Sequence, residues 1–250
     1  MMARGSNSAG CVRYPRGVAK LPRITVLQPD PDVPLDRFDA WLRARVRLSL
    51  IDLRTKDVPR PETIGDALIV LGGHGNALSD DRKTIETLDL LADADDIGLP
   101  ILGLCLGHQL LARALGGEVT VAHLDGPEFG PESLTWLPDA ATDPVLAAAA
   151  ASHAPVPMAH DDVVTRLPVG AVELARSATY PHAAFRVGDA WGVQFHPEAS
   201  PELMQHWWSR EHRSTLMLDR MRGVDASVEP AMRSIAEGFL DVVVGTSGQL

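Results

Sequence analysis

A cysteine with a glycine two residues to either side, in G-L-C-L-G-H-Q over residues 103–109, has the pattern of a nucleophile elbow. An apolar run precedes it, and Leu110, Leu111, Ala114 and Leu115 follow at helical spacing, so Cys105 stands where a strand turns into a helix. The glycines admit a tight turn, the thiol projects beyond the carboxyl end of the strand, and the helix amino terminus favours the thiolate. Cys105 is therefore a candidate nucleophile, against the alternative of a buried structural cysteine. A nucleophilic thiol benefits from an imidazole that exchanges its proton and a third group that orients the imidazole. W-G-V-Q-F-H-P-E over residues 191–198 offers both, because residues two apart in extended chain face one side: His196 as base, Glu198 as orienter, with Pro197 stiffening the backbone. Alone, His-Pro-Glu also reads as a turn closing a strand; together with the cysteine segment it reads as catalytic. Acyl transfer through a tetrahedral intermediate further needs backbone donors. L-G-G-H-G over residues 71–75 lets backbone approach a ligand closely, so the amides of Gly73 and Leu106 are the candidate oxyanion hole. No histidine or carboxylate stands at zinc-like spacing to His74, which reads as a solvated loop residue, and nothing in the pattern calls for a metal or a cofactor.

Residues 73, 105 and 196 can meet only if separate strands end side by side. Short apolar runs at 24–27, 48–51, 67–71 and 100–104 read as buried strands, and helical patterns near 38–46 and 81–94 lie between them. This alternation predicts an α/β fold with a mostly parallel twisted sheet covered by helices on both faces, active at the carboxyl ends of its strands. Closely spaced apolar segments at 133–137, 171–175, 183–187 and 191–195 predict strands of which several run antiparallel. The alanine run after Pro144 reads as a weak helix or loop. Ser200 and Pro201 suit the start of a helix whose Leu203, Trp207 and Trp208 form an apolar face, the tryptophans as packing rather than a ligand cage. Met232, Ile235, Phe239 and Leu240 mark a last amphipathic helix. With no repeat and no linker, residues 22–250 read as one domain. Residues 1–21 read as a mobile tail, and its Cys11 as functionally uninteresting.

The chain has 250 residues, and 23 Lys plus Arg against 33 Asp plus Glu give a formal net charge of −10, which argues against nucleic acid as a partner. No apolar stretch approaches the roughly 18 residues of a membrane span, so no membrane role is expected. Two cysteines are too few for a disulfide framework and the first 21 residues lack the apolar core of a secretory signal, which makes a reducing cytoplasm the expected compartment.

In order and spacing, the three segments at 71–75, 103–109 and 191–198 resemble the signatures of class I glutamine amidotransferase domains, closest to stand-alone proteins similar to the glutaminase part of GMP synthase. The likeness runs from the strand at 24 to the last helix, supported by residues 128–134, 158–163 and 171–175. It implies the flavodoxin-like fold of that family and a thiol-dependent glutaminase, with Cys105 as nucleophile, His196 as general acid and base, Glu198 as orienter, and ammonia released through a γ-glutamyl thioester. It also implies substrate contacts from Gly107, Gln109, the Gly73 loop and the segment containing Ala159, His160 and Asp161. Two segments depart from the family pattern. His74 replaces a usual proline, leaving the oxyanion loop less rigid and adding a donor, and Ala159 and Asp161 flank His160 where Ser and Gly are usual. The implied substrate is accordingly glutamine or another γ-glutamyl amide. A phosphate-binding G-x-x-x-x-G-K-[ST] loop is absent from the sequence, so either a synthase partner in trans takes the ammonia or the protein is a free-standing γ-glutamyl hydrolase or peptidase. A non-catalytic binding module on the same fold, and the related cysteine-elbow stress proteins and proteases, are the further alternatives; the Cys, His and Glu set argues against both.

Overall fold

The computed structural model describes residues 21–211 and 215–247; the tail reading, Leu21 apart, and Cys11 lie outside the described residues. In chain order the elements are β1 (Arg23–Gln28), α1 (Arg37–Arg43), β2 (Arg47–Asp52), β3 (Ala67–Val70), α2 (Arg82–Asp96), β4 (Ile101–Leu104), α3 (Leu106–Ala114), β5 (Glu118–Thr120), β6 (Glu128–Glu132), β7 (Thr135–Trp136), α4 (Ala147–Ser152), β8 (Val156–His160), β9 (Val163–Arg166), β10 (Val172–Arg176), β11 (Ala184–Val187), β12 (Ala190–Val193), α5 (Pro201–Glu211) and α6 (Leu216–Ser247).

Eight strands form the central sheet in the order β2-β1-β3-β4-β12-β11-β10-β7. The first five are parallel, and β11, β10 and β7 continue the sheet antiparallel. Two small antiparallel pairs, β5 with β9 and β6 with β8, stand apart from it. Strand alternation sends Ile24, Val26, Ile69, Leu102 and Leu104 to one face, under Phe38 and Leu42 of α1, Ala149 of α4, and Ile235 and Phe239 of α6. The opposite face, with Leu27, Leu68, Val70 and Ile101, is covered by Leu90 and Leu91 of α2 and Leu110 and Leu111 of α3. Both faces of the sheet are therefore buried, which explains why β3 and β4 read as unbroken apolar runs rather than alternating ones.

The segment at 191–195 differs from the antiparallel reading of its neighbours on one side only. β12 is antiparallel to β11 but parallel to β4, with Val193 opposite Leu104. That inner edge places the chain after β12 beside the chain after β4. The strand order reverses at β1, so the loops after β1, β3, β4 and β12 gather at one end of the sheet, beside the topological switch point.

Candidate active site

Cys105 occupies the turn between β4 and α3 with φ 50° and ψ −105°, a left-handed conformation rare for a side-chain-bearing residue. The strain falls on the cysteine and not on its glycines, which serve close approach instead. A Cβ on Gly103 would lie 2.5 Å from the Gly107 carbonyl oxygen, and one on Gly107 would lie 2.1 Å from that of Val70, so the elbow can close onto the sheet only if both are glycine. The Cys105 amide donates to Val193 O at 2.9 Å, which ties the elbow to β12.

Three residues past Val193, His196 donates its amide to Pro157 O at 2.8 Å and packs its ring on Trp207, with centroids 4.6 Å apart. Its Nδ1 lies 2.7 Å from Glu198 Oε1. Glu198 is fully buried, and its second oxygen meets no hydrogen-bond donor among the described residues. Because Nδ1 is held by the carboxylate, Nε2 is the nitrogen left for proton exchange. Burial pushes the imidazolium down, but the charges of Glu198 and of the Cys105 sulfur, with a hydrogen bond to each, outweigh burial and raise the His196 pKa to about 10. Gly72 is packed against both groups: a Cβ there would lie 2.9 Å from His196 Cε1 and 3.4 Å from Cys105 Cβ.

Cys105 and His196 open on one cavity of about 530 Å3, whose wall also includes Gly73, Leu106, Gln109, Ala159, His160 and Asp161. Of the sequence-predicted substrate contacts, Gly107 is the one not on that wall; it faces the Val70 backbone. Gln109 donates Nε2 to Asp162 O at 2.9 Å and to Gln194 Oε1 at 3.3 Å, so what it has left for a ligand is its carbonyl oxygen, an acceptor. His160 Nε2 lies 3.1 Å from Glu128 Oε2, both side chains buried, while Asp161 is exposed at the mouth. His108, in the elbow motif itself, is fully buried against Phe185, and burial lowers its pKa to about 3; it is no candidate base at neutral pH.

Two features escaped the sequence reading. Gln194 donates Nε2 to the Cys105 sulfur at 3.7 Å, and the Cys105 thiol donates to Ala159 O at the same distance. A glutamine between Val193 and Phe195 in an otherwise apolar strand was the available signal, since a buried polar residue needs a reason. The other is the surroundings of His74, which is not a simple solvated residue: its Nε2 lies 3.0 Å from Asp32 Oδ2, so the extra donor is directed at a carboxylate in the turn after β1. The hydrogen bond from His206, with those from His74 and Arg210, brings the Asp32 pKa down to about 2 against the opposing push of burial.

Among the described residues no group of histidine, cysteine or acidic side chains is arranged to hold a metal ion, and no helix is long and apolar enough to cross a membrane.

Residues 40–212 match the family described as "Glutamine amidotransferase class-I". The chain is 37% identical over 133 residues to the GMP synthase [glutamine-hydrolyzing] of Streptococcus pneumoniae (strain CGSP14), a match covering 52% of this chain and 24% of that protein. It thus spans about a quarter of the length of the curated relatives it matches. Two solved structures share the fold. A glutamine amidotransferase from Thermotoga maritima superposes with TM-score 0.74 at 21% identity, covering 87% of this chain and 97% of that one. A glutamine amido transferase from Methylobacillus flagellatus does so with TM-score 0.76 at 22% identity, covering 89% and 95%.

Proposed function

Since the chain belongs to the class I glutamine amidotransferase family, we propose that it is a thiol-dependent glutaminase, with residues 22–250 as the catalytic domain and Cys105, His196 and Glu198 as the catalytic set. The Cys105 thiolate attacks the γ-carboxamide carbon of glutamine. The amides of Gly73 and Leu106 take the oxyanion, Leu106 being at the amino terminus of α3 where backbone N–H groups are unspent. His196 gives its proton to the departing nitrogen, which leaves as ammonia, and the γ-glutamyl group remains as a thioester on Cys105. His196, now neutral, takes a proton from water; the hydroxide adds to the thioester, the thiolate is expelled, and glutamate departs. Glu198 holds the ring through Nδ1 and stabilises each imidazolium that forms. Gln109 offers its oxygen, and the wall near Ala159, His160 and Asp161 its edge, to the amino-acid end of the substrate.

The observation that carries this reading is the buried His196–Glu198 pair, 2.7 Å apart, whose His196 lines the same cavity as a strained elbow cysteine. A structural cysteine needs no such partner. The nucleophile must remain a free thiol, which suits a reducing compartment such as the cytoplasm. A synthase acting in trans is the fitting acceptor of the ammonia. A second reading, hydrolysis of a larger γ-glutamyl amide by the same groups, is favoured by the exposed Asp161 carboxylate on the wall of a roomy cavity. Ammonia release from glutamine by the wild type and by Cys105→Ala tests the proposal. Release that depends on the cysteine supports it, and undiminished release by the variant refutes the assignment.

A further inference from the structure

Segments far apart in the chain converge on the carboxylate of Asp32. His74 of the oxyanion loop places Nε2 at 3.0 Å from Oδ2; from α5, His206 places Nε2 at 2.8 Å from Oδ1 and Arg210 donates to Oδ2 at 2.5 Å. The carboxylate is itself well anchored. The Asp32 amide donates to Asp30 Oδ1 at 2.9 Å, and the Asp32 carbonyl accepts from Trp207 Nε1 at 2.9 Å. As stability, such partly exposed ion pairs are worth less than about 1 kcal/mol each. As geometry they matter more, because His74 directly follows Gly73. On its other side the backbone at Gly73 is pressed close to Leu106 and Pro29: a Cβ there would lie 3.2 Å from Leu106 Cδ2 and 3.3 Å from Pro29 Cβ. The loop is therefore seated by contact with Leu106 and Pro29 and tethered by charge through His74, which with Arg210 also lines the cavity, without a proline after its second glycine.

We propose that Asp32 is a positioning residue of the oxyanion hole: by joining His74 to His206 and Arg210 it ties the oxyanion loop to α5 and sets the Gly73 amide where the tetrahedral oxygen forms. This inference rests on the glutaminase reading and adds to it a residue that touches no reacting atom. The Asp32 side chain joins the loop to His206 and Arg210 of α5, whereas the contact to Trp207, and through it to His196, runs through the Asp32 backbone. Because that backbone contact survives replacement of the carboxylate, the substitution should disturb the oxyanion hole and leave Cys105 and His196 in place.

Two alkylating agents separate these effects on the whole chain. The chloromethyl ketone analogue of glutamine first takes the thiolate at its carbonyl carbon, forming a carbon–sulfur bond and an oxyanion; sulfur then displaces chloride from the adjacent methylene as its bond to the carbonyl carbon breaks and the ketone re-forms, leaving a thioether. Iodoacetamide loses iodide by direct displacement with no oxyanion. Asp32→Asn and His74→Ala should each slow inactivation by the chloroketone about 10- to 100-fold while iodoacetamide keeps its rate within about twofold. The double variant should fall no further than either single one, since both cut the same tether. Chloroketone rates equal to wild type in both variants, or both reagents slowed alike, overturn the proposal. A wild type that the chloroketone does not inactivate overturns the glutaminase reading and this one with it.

Discussion

Replacing Glu198 by glutamine removes a charge and keeps the shape, and the consequence can be worked from the site. Glu198 is fully buried with Oε1 2.7 Å from His196 Nδ1, and a glutamine amide oxygen can still accept that bond. What disappears is the first of the two charges that hold the imidazolium against burial at a pKa of about 10. In the wild type the imidazolium persists through neutral pH and is lost as pH rises through about 10, so the basic limb of kcat/KM lies near there. Loss of an opposite charge in direct contact shifts a pKa by about 1–3 units, equivalent to about 1.4–4 kcal/mol, so the basic limb of Glu198→Gln should move down to about pH 7–9. The same sign governs stability. A raised histidine pKa stabilises the native state fully below the unfolded value near 6.5 and loses that contribution as pH climbs toward 10. The wild type should thus lose urea resistance across that window, and the variant should lose less. Ammonia release measured from pH 5 to 11 and urea midpoints at the same pH values provide the assay. A basic limb that stays in place, or moves up, refutes the electrostatic account of His196. At pH 7 the variant should retain more activity than Cys105→Ala or His196→Ala, because Glu198 orients rather than reacts.

Three further substitutions probe the packing around the site. Gly72→Ala puts a methyl 2.9 Å from His196 Cε1, so ammonia release should fall at least about tenfold while the circular dichroism spectrum stays native. Gly107→Ala puts one 2.1 Å from the backbone oxygen of Val70, which cannot swing aside; thermal unfolding should show a loss of about 3 kcal/mol or more, beyond the usual cost of overpacking. Gln194→Met deletes the donor to the Cys105 sulfur in a side chain of similar length, and kcat/KM should fall about tenfold or more, as a hydrogen bond to a charged partner is worth about 1.5–3 kcal/mol.

The residues proposed to react stood out in the sequence because the proposed chemistry forces local pattern. An elbow cysteine needs glycines at Gly103 and Gly107, and a base with its orienter on one extended segment needs spacing of two, as in His196 and Glu198. The parallel core was legible because β1, β3 and β4 bury both faces and read as apolar runs. The helix after Ser200 followed from its cap, and Ser200 Oγ does accept from the Leu203 amide at 3.2 Å. Tertiary contacts were not legible in this way. Asp32 meets His206 across 174 positions of sequence, a pairing that no local periodicity marks. The parallel pairing of β12 with β4 depends on which edge the strand joins, and its residues are apolar on both faces whichever partner it takes. The last helix begins at Leu216, well before the amphipathic stretch that revealed it, because its first turns lean on α5 through Met217 and Met221 rather than on the main core.

The central claim, that Cys105 carries the γ-glutamyl group under the hand of His196, is most directly tested by acid-quenching the protein during turnover of glutamine and mapping covalent adducts by mass spectrometry. The account predicts a γ-glutamyl thioester on the peptide containing Cys105, present in the wild type and gone in Cys105→Ala. Ammonia released at the wild-type rate with the label on another residue would contradict it.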